Sequence, residues 1–498
     1  MTLMSIAGDR HYDVTRSTCP ACRKLVCARI VGRDGRVLMV TACPDHGESE
    51  ALISSSEDYY LESLSCLSRG SRPREFARTV SGGCPDDCGF CPDHEQHVCM
   101  PVIEITDSCD LACPICLVEN VGQHEMSLAT LKEIVARLLD SEESIQVLNL
   151  SGGEPTMHSG YHKLLEYLAG IDRIFRVSVS TNGVRLAREP GLRALHKELD
   201  VVVSLQLDGF SPDTYERLRG PLELARTKQQ LLQQIVEEEL PASLTMTLVR
   251  GVNEAELGQV LDVYLAHDNL LSLTIQPFTH AGHGRGFPHD PLTRITIPDV
   301  IELLRTASRG VLRPSDFGPL PCCHPACFCQ TFLLKVEGGG WLPLKRLLRQ
   351  GDYMGLLENR SYMSPDGENL ERIRGMVYDL WAAPAEEPGS ADGATRGSGS
   401  AVQPAATLAS AASADRSQRD GALRTIKRIF KEIDASGIPG PKRTVRIVER
   451  RKKSIFIHQF MDVHTFDLSR VRRCCSVYPK EDGALYPMCV YNVLRRCR

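Results

Sequence analysis

The sequence predicts an α/β protein built on a partial (β/α)6 barrel, and three observations carry that reading. Short β-rich apolar runs recur through residues 101–280, and most of them end in polar or glycine-rich residues. Segments with helical periodicity lie between them. Parallel strands joined by helices cross over right-handedly, so a series of such units curls into a barrel.

The first strand, Pro101–Thr106, ends at a cysteine loop. Gln146–Leu150 runs into Ser151-Gly152-Gly153-Glu154-Pro155, Arg176–Ser180 into Thr181-Asn182-Gly183, and Val201–Leu207 into Asp208-Gly209. Ser243–Val249 and Leu271–Phe278 bring the count to about six β/α units. Between them, Ser127–Asp140 sets Leu128, Leu131, Ile134, Val135 and Leu138 on one helical face, and Gly220–Glu239 and Glu254–His267 are helical too. α/β barrels place their chemistry at the C-terminal ends of the strands. The polar strand ends are therefore candidate site residues, and the glycine-rich Gly282–Gly286 is expected to be an exposed turn or lid.

The 498 residues suffice for a large core and more than one domain, and a net charge of −5 gives no overall pull toward nucleic acid. No run has the length of a membrane span. Met1–Arg10 lacks the basic and apolar blocks of a secretory signal, so the expected location is the reducing cytosol. There, 20 cysteines read as metal ligands rather than disulfides. They are also clustered, with none between 117 and 321.

Cys109, Cys113 and Cys116 form C-x3-C-x2-C on the loop after the first strand. Taken alone, the triplet also fits a zinc knuckle or part of a four-cysteine cluster. Three thiolates on a [4Fe–4S] cube leave one iron open for a small molecule. Upstream, Cys19 and Cys22 meet Cys43 across a hairpin with its turn at Arg33-Asp34-Gly35, the layout of a zinc-ribbon or rubredoxin-like site. His46, Cys27 or Cys66 supplies the fourth ligand. Cys84, Cys88, Cys91 and Cys99 place four sulfurs just before the barrel, enough for a second cluster or for zinc. Cys322, Cys323, His324, Cys327 and Cys329 make a distant Cys/His knot, which the C-terminal segment with Cys474, Cys475 and Cys489 folds back to complete.

The expected organisation is a metal module over 1–70, a cluster-binding segment over 71–100, the barrel over 101–285, a Cys-rich region over 286–382, a disordered linker over 383–420 and a closing segment over 421–498. The linker assignment rests on Ala, Ser, Gly, Pro and Asp with almost nothing large to bury. The basic run Arg443–Lys453 reads as a solvated face or, more sharply, as peripheral contact with anionic headgroups or a phosphorylated substrate.

The cysteine triplet resembles the signature of radical S-adenosylmethionine (SAM) enzymes. Gly152-Gly153-Glu154-Pro155, Leu205-Gln206-Leu207-Asp208-Gly209, Arg250-Gly251-Val252-Asn253, His324-Pro325-Ala326-Cys327 and Cys489-Val490-Tyr491-Asn492 extend the resemblance to the tetraether lipid synthase type, with its pterin-methylating relatives. The resemblance implies a SAM-binding [4Fe–4S] cluster on Cys109, Cys113 and Cys116, auxiliary [4Fe–4S] clusters, and a rubredoxin-like mononuclear iron, for which zinc is the competitor. It implies that Gly152, Gly153 and Glu154 hold the SAM amino group, with Ser180, Thr181, Asn182, Gln206 and Asp208 at the same mouth. The expected activity is radical activation of an unactivated carbon for C–C bond formation on a lipid or small cofactor-like substrate, fed by an electron donor such as flavodoxin or ferredoxin. Radical C-methyl transfer is the alternative; a structural zinc-binding interaction protein is the alternative of another class.

Overall fold

The computed structural model describes residues 8–118, 122–360, 367–382, 416–435 and 440–496. An antiparallel meander opens the chain: β1 (Arg10–Thr18), β2 (Leu25–Arg33), β3 (Arg36–Cys43) and β4 (Gly47–Ser54), in that spatial order. The β2–β3 hairpin turns at Asp34 and Gly35, as its residue types require.

The six expected strands follow as β5 (Met100–Thr106), β6 (Ile145–Gly152), β7 (Ile174–Thr181), β8 (Val202–Gln206), β9 (Ala242–Leu248) and β10 (Leu270–Pro277). All pair in parallel in chain order. The remaining strands are β11 (Gly318–Pro319), β12 (Phe328–Lys335), β13 (Trp341–Pro343), β14 (Lys452–His458), β15 (Ser476–Pro479) and β16 (Leu485–Pro487). Both edges of the six-strand unit are taken by the C-terminal segment. β14 joins β10 in parallel and is backed by antiparallel β12, while β15 joins β5 in parallel.

Alternation along these strands separates two environments. Leu148 and Leu150, Val177 and Val179, Val203 and Leu205, Leu244 and Met246, Leu273 and Ile275, and Ile455 and Ile457 belong to one core cluster with the helices. On the helix Leu128–Glu142, capped by Ser127, the contributing residues are Leu131, Ile134, Val135 and Leu138. Each such side chain contributes about 1.5–3 kcal/mol on leaving water. The intervening residues, among them Asn149, Ser180, Ser204, Gln206, Thr245, Thr274 and Gln276, line an internal cavity. The barrel is thus apolar on its outer face and polar within.

Three expectations change. Gly282–Gly286 forms a short 3-10 turn with Gly282 and Gly284 buried; Gly284 N donates to the Cys116 carbonyl at 3.4 Å, so it packs on the cysteine loop. The run Arg443–Lys453 divides into the helix Pro441–Glu449 and β14, where Lys452 and Lys453 are buried and Lys453 Nζ donates to the carbonyls of His267 and Leu270. Of the expected linker, 383–415 lies outside the described residues, and 416–420 begin the helix Arg416–Ala435. Among the described residues no helix is long and apolar enough to cross a membrane.

The end of β6 presses on the end of β5. Gly153 N donates to the Thr106 carbonyl at 2.8 Å and Glu154 N to the Ser108 carbonyl at 2.7 Å. A Cβ on Gly152 would stand 2.0 Å from Thr106 O, and one on Gly153 2.2 Å from Ser108 O. Both obstacles are backbone and cannot rotate away. Gly153→Ala should lower stability by about 1–3 kcal/mol, read by chemical denaturation, and should reduce the iron retained by the purified protein.

Candidate active site

The cysteine loop leaves β5 and runs from Asp107 to Cys116. Besides the two bonds from β6, it is held by Asn182, whose Nδ2 donates to Asp110 at 2.6 Å and lies 4.0 Å from Cys109 Sγ. Leu111 N and Val118 N each point at a sulfur, Cys109 and Cys116, at 3.4 Å. Burial pushes the Cys109 thiol up to about 12 and that of Cys116 upward too. Thiols so placed become thiolates when a cation replaces the proton. With all three sulfurs on one cavity and N–H groups directed at two of them, the loop fits a three-thiolate cluster.

That cavity, about 310 Å³, is lined by Cys109, Cys113 and Cys116 and by Ser151, Gly153, Ser180, Thr181, Asn182 and Gln206. Its one guanidinium is Arg219, and its aromatic wall is Phe328, Phe456, Phe460 and Tyr478, with the His458 ring tilted against Phe460 at 4.0 Å between centroids. The C-terminal segment thus supplies most of that wall. Neither Arg219 nor His458 stood out in the sequence, because each lies on a segment without a motif.

Three expected cofactor contacts are placed differently. Gly152 borders a neighbouring pocket rather than this cavity. Glu154 is buried, and its carboxylate accepts from Thr156 Oγ1 at 2.6 Å, Thr181 Oγ1 at 2.8 Å and Asn182 N at 2.7 Å. Desolvation raises its pKa, against those hydrogen bonds. Asp208 is wholly buried and binds Arg219 at 2.7 and 3.1 Å, Thr247 N at 2.9 Å and the Gln206 amide. A carboxylate with no water around it is held by the nearest donors, so Glu154 and Asp208 position cavity residues and do not line the cavity.

The cysteines sort into separate groups. Cys19, Cys22, Cys43 and His46 place their ligand atoms within 4.8 Å of one another. Cys22 and Cys43 sulfurs lie 3.9 Å apart, and His46 Nδ1 is 3.7 Å from Cys19 Sγ and 3.5 Å from Cys43 Sγ. A tetrahedral zinc with ordinary bond lengths separates two sulfurs by about 3.8 Å and sulfur from nitrogen by about 3.5 Å. His46 beside it holds the Cys43 thiol down to about 6. The fourth donor is therefore His46; Cys27 is exposed, and Cys66 points at the Glu62 carbonyl. A Cys3His set is that of a structural zinc site rather than of an all-cysteine rubredoxin.

Cys99 parts from Cys84, Cys88 and Cys91. It stands in hydrogen-bonding contact with Cys322 and Cys475, and Cys323 Sγ is 3.1 Å from Cys475 Sγ, so four buried cysteines from three distant segments converge. The backbone imposes this, because Cys99 N and Met100 N both donate to the Cys475 carbonyl, at 3.0 and 3.1 Å. Cys84, Cys88 and Cys91 remain on their loop, with Cys474 close enough to act on Cys88. Cys327, Cys474 and Cys489 line a second small cavity, where Arg470 Nε donates to Cys327 Sγ at 3.2 Å. The expected knot and closing segment thus divide: Cys322, Cys323 and Cys475 join Cys99, while Cys327, Cys474 and Cys489 line the second cavity.

Residues 103–263 match the radical SAM superfamily, and residues 11–55 match the HMPTM N-terminal zinc ribbon domain. The chain is 27% identical to the 7,8-dihydro-6-hydroxymethylpterin dimethyltransferase of Methanocaldococcus jannaschii over 97% of this chain and 94% of that one. It is 29% identical to the GTP 3',8-cyclase of Syntrophomonas wolfei over 33% of this chain and about half of the cyclase, 51%. Among solved structures, Streptococcus suis SuiB bound to S-adenosylmethionine aligns with 43% of this chain and 48% of its own at 14% identity and a TM-score of 0.36. A three-cysteine loop at the mouth of a parallel barrel, joined to a Cys3His ribbon, makes this chain an enzyme of the radical SAM superfamily, which uses a [4Fe–4S] cluster and SAM.

Proposed function

We propose that this enzyme transfers a methyl group to a carbon of a small, flat, polar heterocycle of the pterin class. The observation that carries the reading is the alternation of the barrel strands. Seven hydrogen-bonding side chains, Asn149, Ser180, Ser204, Gln206, Thr245, Thr274 and Gln276, face one cavity. Asn149 pairs in part with Ser180, Ser204 with Thr245, and Gln206 is held by Lys228 and Asp208. A lipid chain would leave their remaining hydrogen-bonding capacity, and that of Thr274 and Gln276, unmet, at a cost of about 1–3 kcal/mol for each buried polar group left without a partner. A ring bearing amino and carbonyl groups pairs with them, and the aromatic wall offers faces for stacking. The dimethyltransferase relative, aligned over nearly its full length, supports the same choice. Methyl transfer is the alternative that the sequence left beside coupling of two carbons, and the relative supports it over coupling.

A [4Fe–4S] cluster on Cys109, Cys113 and Cys116, loaded with SAM, supplies a 5′-deoxyadenosyl radical. The chain orients and shields. Gly153 brings its backbone to the cavity wall, while Ser180, Thr181, Asn182 and Gln206 present polar groups to SAM and Arg219 presents a cation to an anionic group. Phe328, Phe456 and Phe460 keep water from the reacting carbon. Cys99, Cys322, Cys323 and Cys475 form one auxiliary centre; Cys84, Cys88 and Cys91 serve another, with Cys327, Cys474 and Cys489 nearby. Reductive cleavage leaves the methyl group of the radical-yielding SAM on methionine, so a second SAM would donate the methyl and leave as S-adenosylhomocysteine. A one-electron donor of the flavodoxin or ferredoxin type would deliver two electrons per methyl group, one for each SAM consumed.

Reduced, reconstituted protein given SAM labelled with a trideuterated methyl group and a 6-hydroxymethyl-7,8-dihydropterin should yield a pterin heavier by one labelled methyl group or more. Mass spectrometry decides; a coupled product without label, or turnover only with lipid, rejects the proposal. Cys113→Ala should end formation of 5′-deoxyadenosine, because no fourth cysteine on the loop replaces it, whereas Cys475→Ala should retain SAM cleavage and lose product. His46→Ala should remove about one zinc per chain by elemental analysis while acid-labile sulfide stays at the wild-type level.

A further inference from the structure

Lys228 lies on the helix Leu224–Glu237, behind the ends of β7 and β8, and is wholly buried. Its ammonium donates to the Gln206 carbonyl at 2.7 Å, to Gln206 Oε1 at 2.8 Å and, in a short contact, to the Asn182 carbonyl. None of the three acceptors is a carboxylate, and none has a proton to give. The three N–H bonds of an ammonium satisfy them all, whereas a neutral amine would turn its lone pair on one. Burial pulls the lysine down to about 7, with Asp208 acting in the other direction. A methionine would occupy the same space without that desolvation cost, so packing alone does not account for a lysine here.

Both residues it grips line the cavity. The Asn182 backbone is held from two sides by opposite charges, its N–H on Glu154 at 2.7 Å and its carbonyl on Lys228. Its side chain then reaches Asp110 on the cysteine loop. Gln206 is fixed in the same way, with its amide oxygen on Lys228 and its nitrogen on Asp208, so the amide has one orientation. Lys228 is therefore the residue at which the strand ends of β7 and β8 are tied together, without touching the cavity itself.

We propose that Lys228 is a positioning residue for SAM, holding Asn182 and Gln206 in the arrangement that receives it. The assignment rests on reading the cavity as the SAM site. In anaerobically reconstituted full-length protein, K228M should keep wild-type iron and sulfide, since the bonds of Lys228 go to no cysteine. SAM titrated against the reduced cluster, followed by the change in its EPR spectrum, should give a Kd raised by about tenfold or more. Formation of 5′-deoxyadenosine at saturating SAM should stay within about threefold of wild type, a split between binding and turnover that a purely structural lysine would not produce. A wild-type spectrum unmoved by SAM would remove the SAM site itself. A Kd in K228M within about twofold of wild type would overturn only the role of Lys228. If K228M loads less iron, K228A reconstituted with propylamine or with propanol decides. Recovery of SAM binding with the amine alone upholds the assignment; recovery with both or with neither overturns it.

Discussion

The backbone contact between the ends of β5 and β6 governs the site. Two peptide N–H groups of Gly153 and Glu154 bond to carbonyls of Thr106 and Ser108, at the point where the chain leaves the sheet to form the cysteine loop. The glycines matter here because nothing larger fits between two backbones at that separation. Glu154 then turns away from the cavity and, through Thr181 and Asn182, carries the constraint to the end of β7. Asp208 and Arg219 extend it to β8 and β9 through Gln206 and Thr247. What a sequence motif presents as cofactor ligands is in large part a buried network that aligns five strand ends.

Placing polar side chains inside a barrel is costly unless something pairs with them. Asn149 and Ser180 partly satisfy each other, as do Ser204 and Thr245, at 3.0 and 3.4 Å. The interior is thus stable enough to fold while keeping hydrogen-bonding capacity for a ligand. The aromatic wall comes mostly from β12, β14 and their flanks, outside the span that matches the superfamily. The span that matches the superfamily supplies the cysteine loop and most of the polar lining, and the segment beyond it supplies the aromatic wall.

Local signals were legible, and long-range ones were not. The six parallel strands, the hairpin at Asp34-Gly35 and the Cys19, Cys22, Cys43 knuckle follow from alternation, turn residues and spacing, all of which operate over a few residues. The pairing of Cys99 with Cys475 depends on β15 lying beside β5, a register that no short segment encodes. The resemblance implies Glu154 at the SAM amino group and Asp208 at the same mouth; the structure buries both because Thr181, Asn182 and Arg219 offer bonds from within the protein. Lys452 and Lys453 read as surface charge, yet the strand they begin is covered on both sides, by β10 and β12.

Because β14 and β15 close opposite edges of the parallel sheet, the last tenth of the polypeptide is needed before the barrel has its final neighbours. Residues 476 and 477 pair with residues 100 and 101, among the longest loops the chain can close. A nascent chain emerging from the ribosome therefore carries its cysteine loop through most of synthesis with both sheet edges open and exposed to pairing with other chains. The centre on Cys99, Cys322, Cys323 and Cys475 has its full set of ligands only once the C-terminal segment has brought Cys475 to Cys99 and shut the edge beside β5. Truncation near the C-terminus should harm this enzyme out of proportion to the number of residues removed, by leaving the barrel unclosed.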